Sequence, residues 1–539
     1  MSTTIDKYKK ADAPLPDSYL AWLVYGAGFE NVGRDGKPEQ VPLRELKDNE
    51  ILCRVDAVGL CLSDVKIINQ GNNHPRLLGR DLAKEPTVLG HEASITVVKV
   101  GKNWQGKFNI GERYIVQADI YVDGVTCAFG YRIPGGLQQF CYLDDRALDG
   151  DDGNYLLPVK PETGYSQSAL SEPWACVEMS YNLQDRFEPT GGPVLIVSDD
   201  ADAQWCADHP DATVLPRSLD DLSDDDKFDD ILLSEPTPEL VTRLADHLNK
   251  GGVMYLLGAP AELGACSIDI GRIHYDDIRF YGGGQLVSDI QAANSRCDLL
   301  PQGASIFIGA GGPMGQMHVQ RAIEVACGSR TVVVTDLDRS RLDHIEKRFG
   351  NLAKAKGVAL HCLCADDFGS QDAMNEHIHE IAPDGYNDVC VLAPIPALVT
   401  YAMGLAADNA LVNVFAGIPI GNPADIELAD LCRGIKIIGS SGSRIDDLRK
   451  ILRMVESSEL NTNLSVAAIG GLNAAREGLE GVKSARFPGK TVIYPQIPQM
   501  DLIAVEDIPK KLPQLADKLD AEGAWTNEAE NALIESMVP

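Results

Sequence analysis

Four side chains in the first third of this 539-residue chain have types and spacings that can do chemistry together. They are Cys61 in VGLCLSD, His91 and Glu92 in VLGHEAS, and Glu172 in LSEPWAC. Zinc takes cysteine sulfur, histidine nitrogen and carboxylate oxygen as ligands, and a catalytic site uses three of them. The fourth position stays open for a substrate oxygen. Each residue alone is unremarkable, because a lone Cys is usually core and a lone His is usually a satisfied polar group. The set carries the reading.

The elements that must position these residues can be read from the pattern. Cys61 ends the strand-like run EILCRVDAVGL and opens a loop. His91 and Glu92 follow a glycine that permits a tight turn, and Glu172 precedes Pro173 at the start of a helix-like stretch. Residues 18–185 are rich in short β-type runs separated by Gly, Asp and Pro, which predicts a mostly β domain with these residues on its loops. Residues 190–445 alternate strands with helical segments, the pattern of a doubly wound sheet.

A second site is predicted in the α/β region. The strand ASIFIG runs into Ala310, Gly311, Gly312, Pro313, Met314 and Gly315, and then into the helix QMHVQRAIEVA. Small residues let the backbone approach a pyrophosphate, and the helix N-terminus offers N–H groups and positive partial charge. Asp336 follows TVVVT, 21 residues after Gly315, where its carboxylate can accept from a ribose diol and repel a 2′-phosphate. NAD is therefore expected over NADP, although Arg339 stands nearby as a phosphate partner. Loops at Ala393-Pro394, Gly417 and Ser440-Ser441 end successive strands and are expected to flank the nicotinamide half.

The α/β region also repeats itself. KFDDILLSEPTPELV (227–241) resembles GYNDVCVLAPIPALV (385–399), and SIDIGRIHYDDIRFYGGG (267–284) resembles DIELADLCRGIKIIGSSG (425–442). Two Rossmann-like units are predicted, the first shorter by a strand and a helix. At its phosphate turn the first copy carries Ser198-Asp199-Asp200-Ala201-Asp202, whose carboxylates would repel a pyrophosphate. That copy is expected to serve as scaffold, interface or cleft wall.

Composition narrows the partners. A net charge of −31 and a pI near 4.6 oppose binding to nucleic acid or anionic membranes. The dense acidic stretch 218–230 reads as a solvated loop. No run of eighteen apolar residues occurs, so no membrane span is expected. The N-terminus is polar and lacks a signal-peptide core. Thirteen scattered Cys without a CxxC pair suit a reducing cytoplasm.

Taken together, CLSDVK (61–66), GHE (90–92), SEPWAC (171–176), GPMG (312–315), VVVTDLDRSRL (332–342), SSGSRIDDL (440–448), PGKTVIY (488–494) and GAWTNEAENAL (523–533) resemble the zinc-dependent medium-chain dehydrogenases/reductases. The resemblance is strongest to the L-sorbose-1-phosphate reductase-like and polyol dehydrogenase branch. It implies an α/β plus β fold in four parts. These are a GroES-like catalytic zinc domain (1–187), an NAD-binding Rossmann domain (301–445), a C-terminal return to the catalytic domain with terminal helices (446–539) and, as a part without counterpart in that family, a degenerate Rossmann-like insertion (188–300). It implies Cys61, His91 and Glu172 as ligands of zinc, and Glu92 as a nearby carboxylate that ligates in some states. Ser63 takes the place of a proton-relay hydroxyl, and Lys66 stands where the wider family has a relay histidine. Residues 93–140 contain only Cys127, so one catalytic zinc per subunit and no structural zinc is expected.

The function so implied is hydride transfer between NAD(H) and a secondary alcohol or ketone of a polyol, sugar or sugar phosphate. Two other readings stand beside it: a zinc-free reductase of the same fold, and a non-catalytic dinucleotide-binding scaffold or sensor. Lys66, Arg76 and Arg80 either meet a substrate phosphate or face solvent. Sheets of this fold commonly pair edge to edge, so a homodimer or homotetramer is one expectation. The other is that the extra unit blocks or replaces that interface.

Overall fold

The computed structural model describes residues 3–183, 186–187, 190–198, 212–215, 219, 222–325 and 328–538. The chain forms two compact units, Met1–Glu178 with Gly442–Pro539, and Met179–Ser441. The expected segments 188–300 and 301–445 thus share most of one unit, and both ends of the chain build the other.

The first unit is built on an eight-stranded sheet. Its centre is the strand Glu50–Gly59, buried at all ten positions. Such a strand needs apolar cover on both faces, and it has it. Val55 and Val58 enter the N-terminal core, while Ala57 enters a core built with Trp525, Leu533 and other C-terminal residues. Glu50–Gly59 is flanked by Glu92–Val100 on one side and Lys490–Tyr494 on the other, both antiparallel to it. In that register Gly59 lies opposite Glu92 and also opposite Val492. The outgoing end of the central strand and the incoming ends of its two neighbours therefore meet at one edge of the sheet. That edge carries Cys61, Glu92 and Lys490.

The second unit holds two parallel sheets. The six-stranded sheet runs in the order Ala359–Leu363, Thr331–Thr335, Ala304–Ile308, Tyr386–Val391, Ala406–Val414, Lys436–Ile438. The five-stranded sheet follows the same order without the outermost strand: Thr213–Leu215, Val194–Val197, Phe228–Ser234, Leu248–Leu257, Arg279–Gly284. The repeat read from the sequence is thus a repeat of architecture, and among the described residues the first copy is the one without the outermost strand. Asp199, Asp200, Ala201 and Asp202 of its phosphate turn, and Ser218, Asp220 and Asp221 of the acidic stretch, lie outside the described residues.

The two copies meet about a local two-fold axis. Strand Ala265–Asp269 pairs antiparallel with Pro423–Glu427, and Ser267 stands opposite Asp425. Those two residues occupy equivalent positions in the repeat. Ile270 N–H donates to the Asn422 carbonyl (3.4 Å), and Leu428 N–H donates to that of Gly264 (2.9 Å). Each bond is the other with the copies exchanged, as in the isologous contact of a symmetric dimer. The outer strands of the two sheets, Arg279–Gly284 and Lys436–Ile438, also come together here, and the fit is close. A Cβ placed on Gly282 would lie 2.3 Å from the Leu431 carbonyl oxygen. Gly282→Val should therefore destabilise the full chain by about 1–3 kcal/mol through overpacking, read as a lowered urea midpoint. An unchanged midpoint would show that the contact yields without cost.

Candidate active site

The register of the central strands delivers the first site. One ligand atom from each of Cys61, His91 and Glu92 lies within 4.8 Å of the others. His91 and Glu92 are buried, while Cys61 is half-buried at the N-terminus of the helix Leu62–Gln70. Asp64, on the first turn of that helix, ties the two loops together. Its Oδ2 accepts from the Cys61 N–H (3.0 Å) and its Oδ1 from the Gly90 N–H (3.0 Å). Oδ1 also lies 3.4 Å from His91 Nδ1, a charge contact without hydrogen-bond geometry. Burial alone would lower the His91 pKa, but Asp64 and Cys61 outweigh it and raise it well above the usual imidazole value. The pocket favours positive charge where these donors converge.

Glu92 is completely buried. Lys490 Nζ donates to its Oε1, and Oε2 has no hydrogen-bond partner. Burial opposes charge on Lys490, yet Glu92, Cys61 and Glu172 hold its pKa above the ordinary lysine value. Glu172, on the helix Ser171–Met179, lies outside the three-residue cluster. Burial pushes its pKa up to about 7, helped by Glu92 and Asp119 and opposed by His91 and Lys490. These influences place it among the same charges. Ser63 is half-buried and Lys66 exposed on the Leu62–Gln70 helix.

Tyr131 forms part of the wall, its ring 5.9 Å from that of His91 and 5.6 Å from that of His74. Arg76 lies over the Tyr131 ring and pairs with Asp119 Oδ1 at 2.5 Å. It is thus engaged with a carboxylate beside the site. Sequence reasoning missed Asp64, Lys490, Asp119 and Tyr131. A signal existed for Asp64, three residues after Cys61 at a helix start, where an acidic side chain can reach back to the cap N–H. Lys490 stood within PGKTVIY, but nothing local joined it to Glu92.

The second unit carries the Gly-rich turn expected to meet a dinucleotide. Strand Ala304–Ile308 leads through it into the helix Pro313–Glu324, with Gly312 as N-cap and Pro313 at the first helical position. A side chain at Gly315 would strike the Ala310 carbonyl at 2.4 Å, so glycine lets the helix close on the strand. Above Gly312 the space is open, which leaves room for a ligand to approach the backbone. Asp336 Oδ2 accepts from the Gly311 N–H (2.8 Å), fixing the carboxylate beside the turn. Arg339 is held by Asp343 (2.7 Å), Glu346 (2.8 Å) and Asp367 (3.0 Å). Three carboxylates therefore compete for the group expected to meet a 2′-phosphate.

Ala393-Pro394, Gly417 and Ser440-Ser441 follow the carboxyl ends of the strands Tyr386–Val391, Ala406–Val414 and Lys436–Ile438. Ser440 Oγ is buried without a hydrogen-bond partner, and Ser441 is exposed. The first copy reaches this rim. Tyr275 Oη lies 2.7 Å from where a Gly417 Cβ would stand, and His274 Nδ1 is 3.2 Å from the Val414 carbonyl oxygen. The repeat was visible in the sequence, but this contact between its copies was not.

Residues 47–154 match the alcohol dehydrogenase GroES-like domain. L-sorbose 1-phosphate reductase of Klebsiella pneumoniae is 24% identical over 517 residues, covering 93% of this chain and 95% of that protein. Sorbitol dehydrogenase of Gallus gallus is 43% identical over 196 residues, 33% of this chain and 50% of its own length. The crystal structure of 2R,3R-butanediol dehydrogenase from Bacillus subtilis covers 89% of this chain with all of its own. Its TM-score is 0.54 at 14% identity, a likeness of fold.

Two substitutions test the supports around the ligand cluster. Asp64→Ala removes the tie between the loops that carry Cys61 and His91 and should weaken binding of a metal at the cluster about 10–100-fold, measured by competition with a chelator. Lys490→Met strands Glu92 and should cost about 3–5 kcal/mol of stability. Adding Glu92→Gln should recover part of that loss in the same unfolding titration.

Proposed function

We propose that this chain, a member of the zinc-dependent medium-chain dehydrogenases and their polyol dehydrogenase branch, transfers hydride between NAD(H) and a secondary alcohol or ketone of a polyol, sugar or sugar phosphate. The carrying observation is the convergence of Cys61, His91 and Glu92 at the end of three neighbouring strands. The donor set suits zinc, and the orphaned Glu92 oxygen and the cation-favouring His91 pocket fit an ion there. The open space over Gly312 and the unpartnered Ser440 hydroxyl fit a dinucleotide in the second unit. When bound, zinc supplies Lewis acidity to the substrate oxygen and the nicotinamide exchanges the hydride.

The residues divide the remaining work. Cys61, His91 and Glu172 hold the metal. Asp64 fixes the loops that carry Cys61 and His91. Lys490 restrains Glu92, which can approach the metal with its second oxygen. Ser63 would relay the proton of the substrate hydroxyl, taking it up as it passes its own proton on to solvent, and Lys66 lies exposed on the same helix where the wider family has its relay histidine. Asp336 accepts from the ribose diol and disfavours a 2′-phosphate, so NAD is preferred over NADP. The described residues contain one such metal-ligand cluster. The eleven described cysteines are free thiols, which supports a cytoplasmic setting. No helix among the described residues is long and apolar enough to cross a membrane. The packing of the first copy's strand Arg279–Gly284 near Lys436–Ile438 supports the reading that the extra unit takes the place of an edge-to-edge contact, with a homodimer or homotetramer as the other expectation.

Three measurements test this reading. Metal-replete protein should contain zinc and turn over NAD with some member of a panel of free and phosphorylated polyols. Absence of both would overturn the assignment. Cys61→Ser should lose zinc and turnover yet still bind NADH, followed by nucleotide fluorescence; full retained activity would refute its role as ligand. Asp336→Ala should raise KM for NAD about 10–100-fold, the worth of charge-assisted bonds to the diol, and narrow the preference over NADP.

A further inference from the structure

Apart from the metal site, the first unit contains a cavity of about 370 Å³ lined by three arginines, Arg80, Arg132 and Arg146. Glu85 is the one acidic residue in its lining. Such a cluster is unexpected in a chain of net charge −31. Like charges gathered in partly buried surroundings repel, so an anion placed among them would be favoured.

The guanidinium groups are not used up by carboxylates. Arg80 is anchored by backbone carbonyls: Nε to Glu85 (2.8 Å), Nη1 to Arg132 (3.0 Å) and Nη2 to Pro86 (3.0 Å). No carboxylate hydrogen-bonds to it. Burial lowers its pKa; the nearby Glu85 charge opposes this, while Arg132 and Arg146 add to the lowering. Arg132 has only long contacts, from Nη1 to the Thr126 carbonyl (3.4 Å) and to Cys127 Sγ (4.0 Å). Its Nε and Nη2 donors are uncommitted. Arg146 holds Asp144 through Nε and Nη2, which leaves Nη1. With Glu85 on the rim and Asp144 behind Arg146, an excess of positive charge and several N–H donors still face one space.

We propose that this cavity is an oxyanion site that binds the phosphate group of a small molecule. Phosphate offers the charge and the several acceptor oxygens that forked guanidinium donors match. The cavity is separate from the metal cluster: Arg76, the arginine beside that site, is paired with Asp119 and does not line it. The phosphate comes either from a phosphorylated substrate or from a separate anion. The proposal does not depend on the hydride-transfer reading, because binding can be measured without turnover.

Arg132 is the residue to change, since its long contacts leave the fold little dependent on it. Inorganic phosphate titrated calorimetrically into the zinc-loaded full chain, at fixed ionic strength against chloride, should bind saturably. Arg132→Gln should weaken that binding about tenfold or more without lowering the melting temperature. No saturable binding to the wild type, or unchanged affinity in Arg132→Gln, overturns the site. Steady-state kinetics then separate the sources. A raised KM for phosphorylated but not free polyols identifies the substrate's own phosphate; weakened phosphate binding with both KM values unchanged identifies a separate anion. Both of these support the oxyanion site.

Discussion

A carboxylate sealed from water must find a positive partner or lose its charge, and this rule organises the first unit. Glu92 is wholly buried, and Lys490 reaches it from the strand on the far side of Glu50–Gly59. The C-terminal segment is therefore needed at the site itself. Without the strand Lys490–Tyr494 the central strand loses a neighbour and Glu92 loses its cation. The same rule explains why Glu172 sits near neutrality while His91 is drawn toward the charged form. One pocket holds more acidic groups than basic ones, and it is arranged to welcome a cation.

The parts of the site that were legible in the sequence are those written locally. Cys61, His91 and Glu92 each stand at a strand end beside turn chemistry, and the Gly-rich turn lies between a strand and a helix. Asp336 was placed by its spacing. The parts that were not legible depend on long-range pairing. Lys490 and Glu92 are 398 residues apart, and no periodicity links them. Asp64 looked like an ordinary helix-start acid, and its bond to Gly90 appears only when two loops fold together. The three arginines of the cavity come from separate stretches of chain, Arg146 from the short helix Asp145–Leu148. Arg339 shows the converse: proximity in sequence to Asp336 suggested a ligand role, whereas Asp343, Glu346 and Asp367 engage it.

The repeat has similar limits. Likeness between residues 267–284 and 425–442 revealed two copies, and the first copy's missing outer strand followed from its shorter spacing. That equivalent segments would pair with each other was not visible, because a repeat specifies likeness and not contact. The pairing rests on small residues at Gly282 and Gly283 and on reciprocal backbone bonds. A copy whose surface is spent on such a contact keeps its core pattern even if its turn no longer suits a pyrophosphate.

In a true two-fold dimer every substitution appears twice, so neither side of the interface can change alone. Here each half of the contact is encoded by its own stretch of chain, and the halves are free to diverge in separate steps. They have done so at Tyr275. It stands against Gly417, at the strand-end rim of the second copy, whereas its repeat counterpart Arg433 is bound to Asp408 and Asp430 within its own half. Inheritance by duplication within one chain thus permits a specialised wall on one side of the axis with no copy of it on the other.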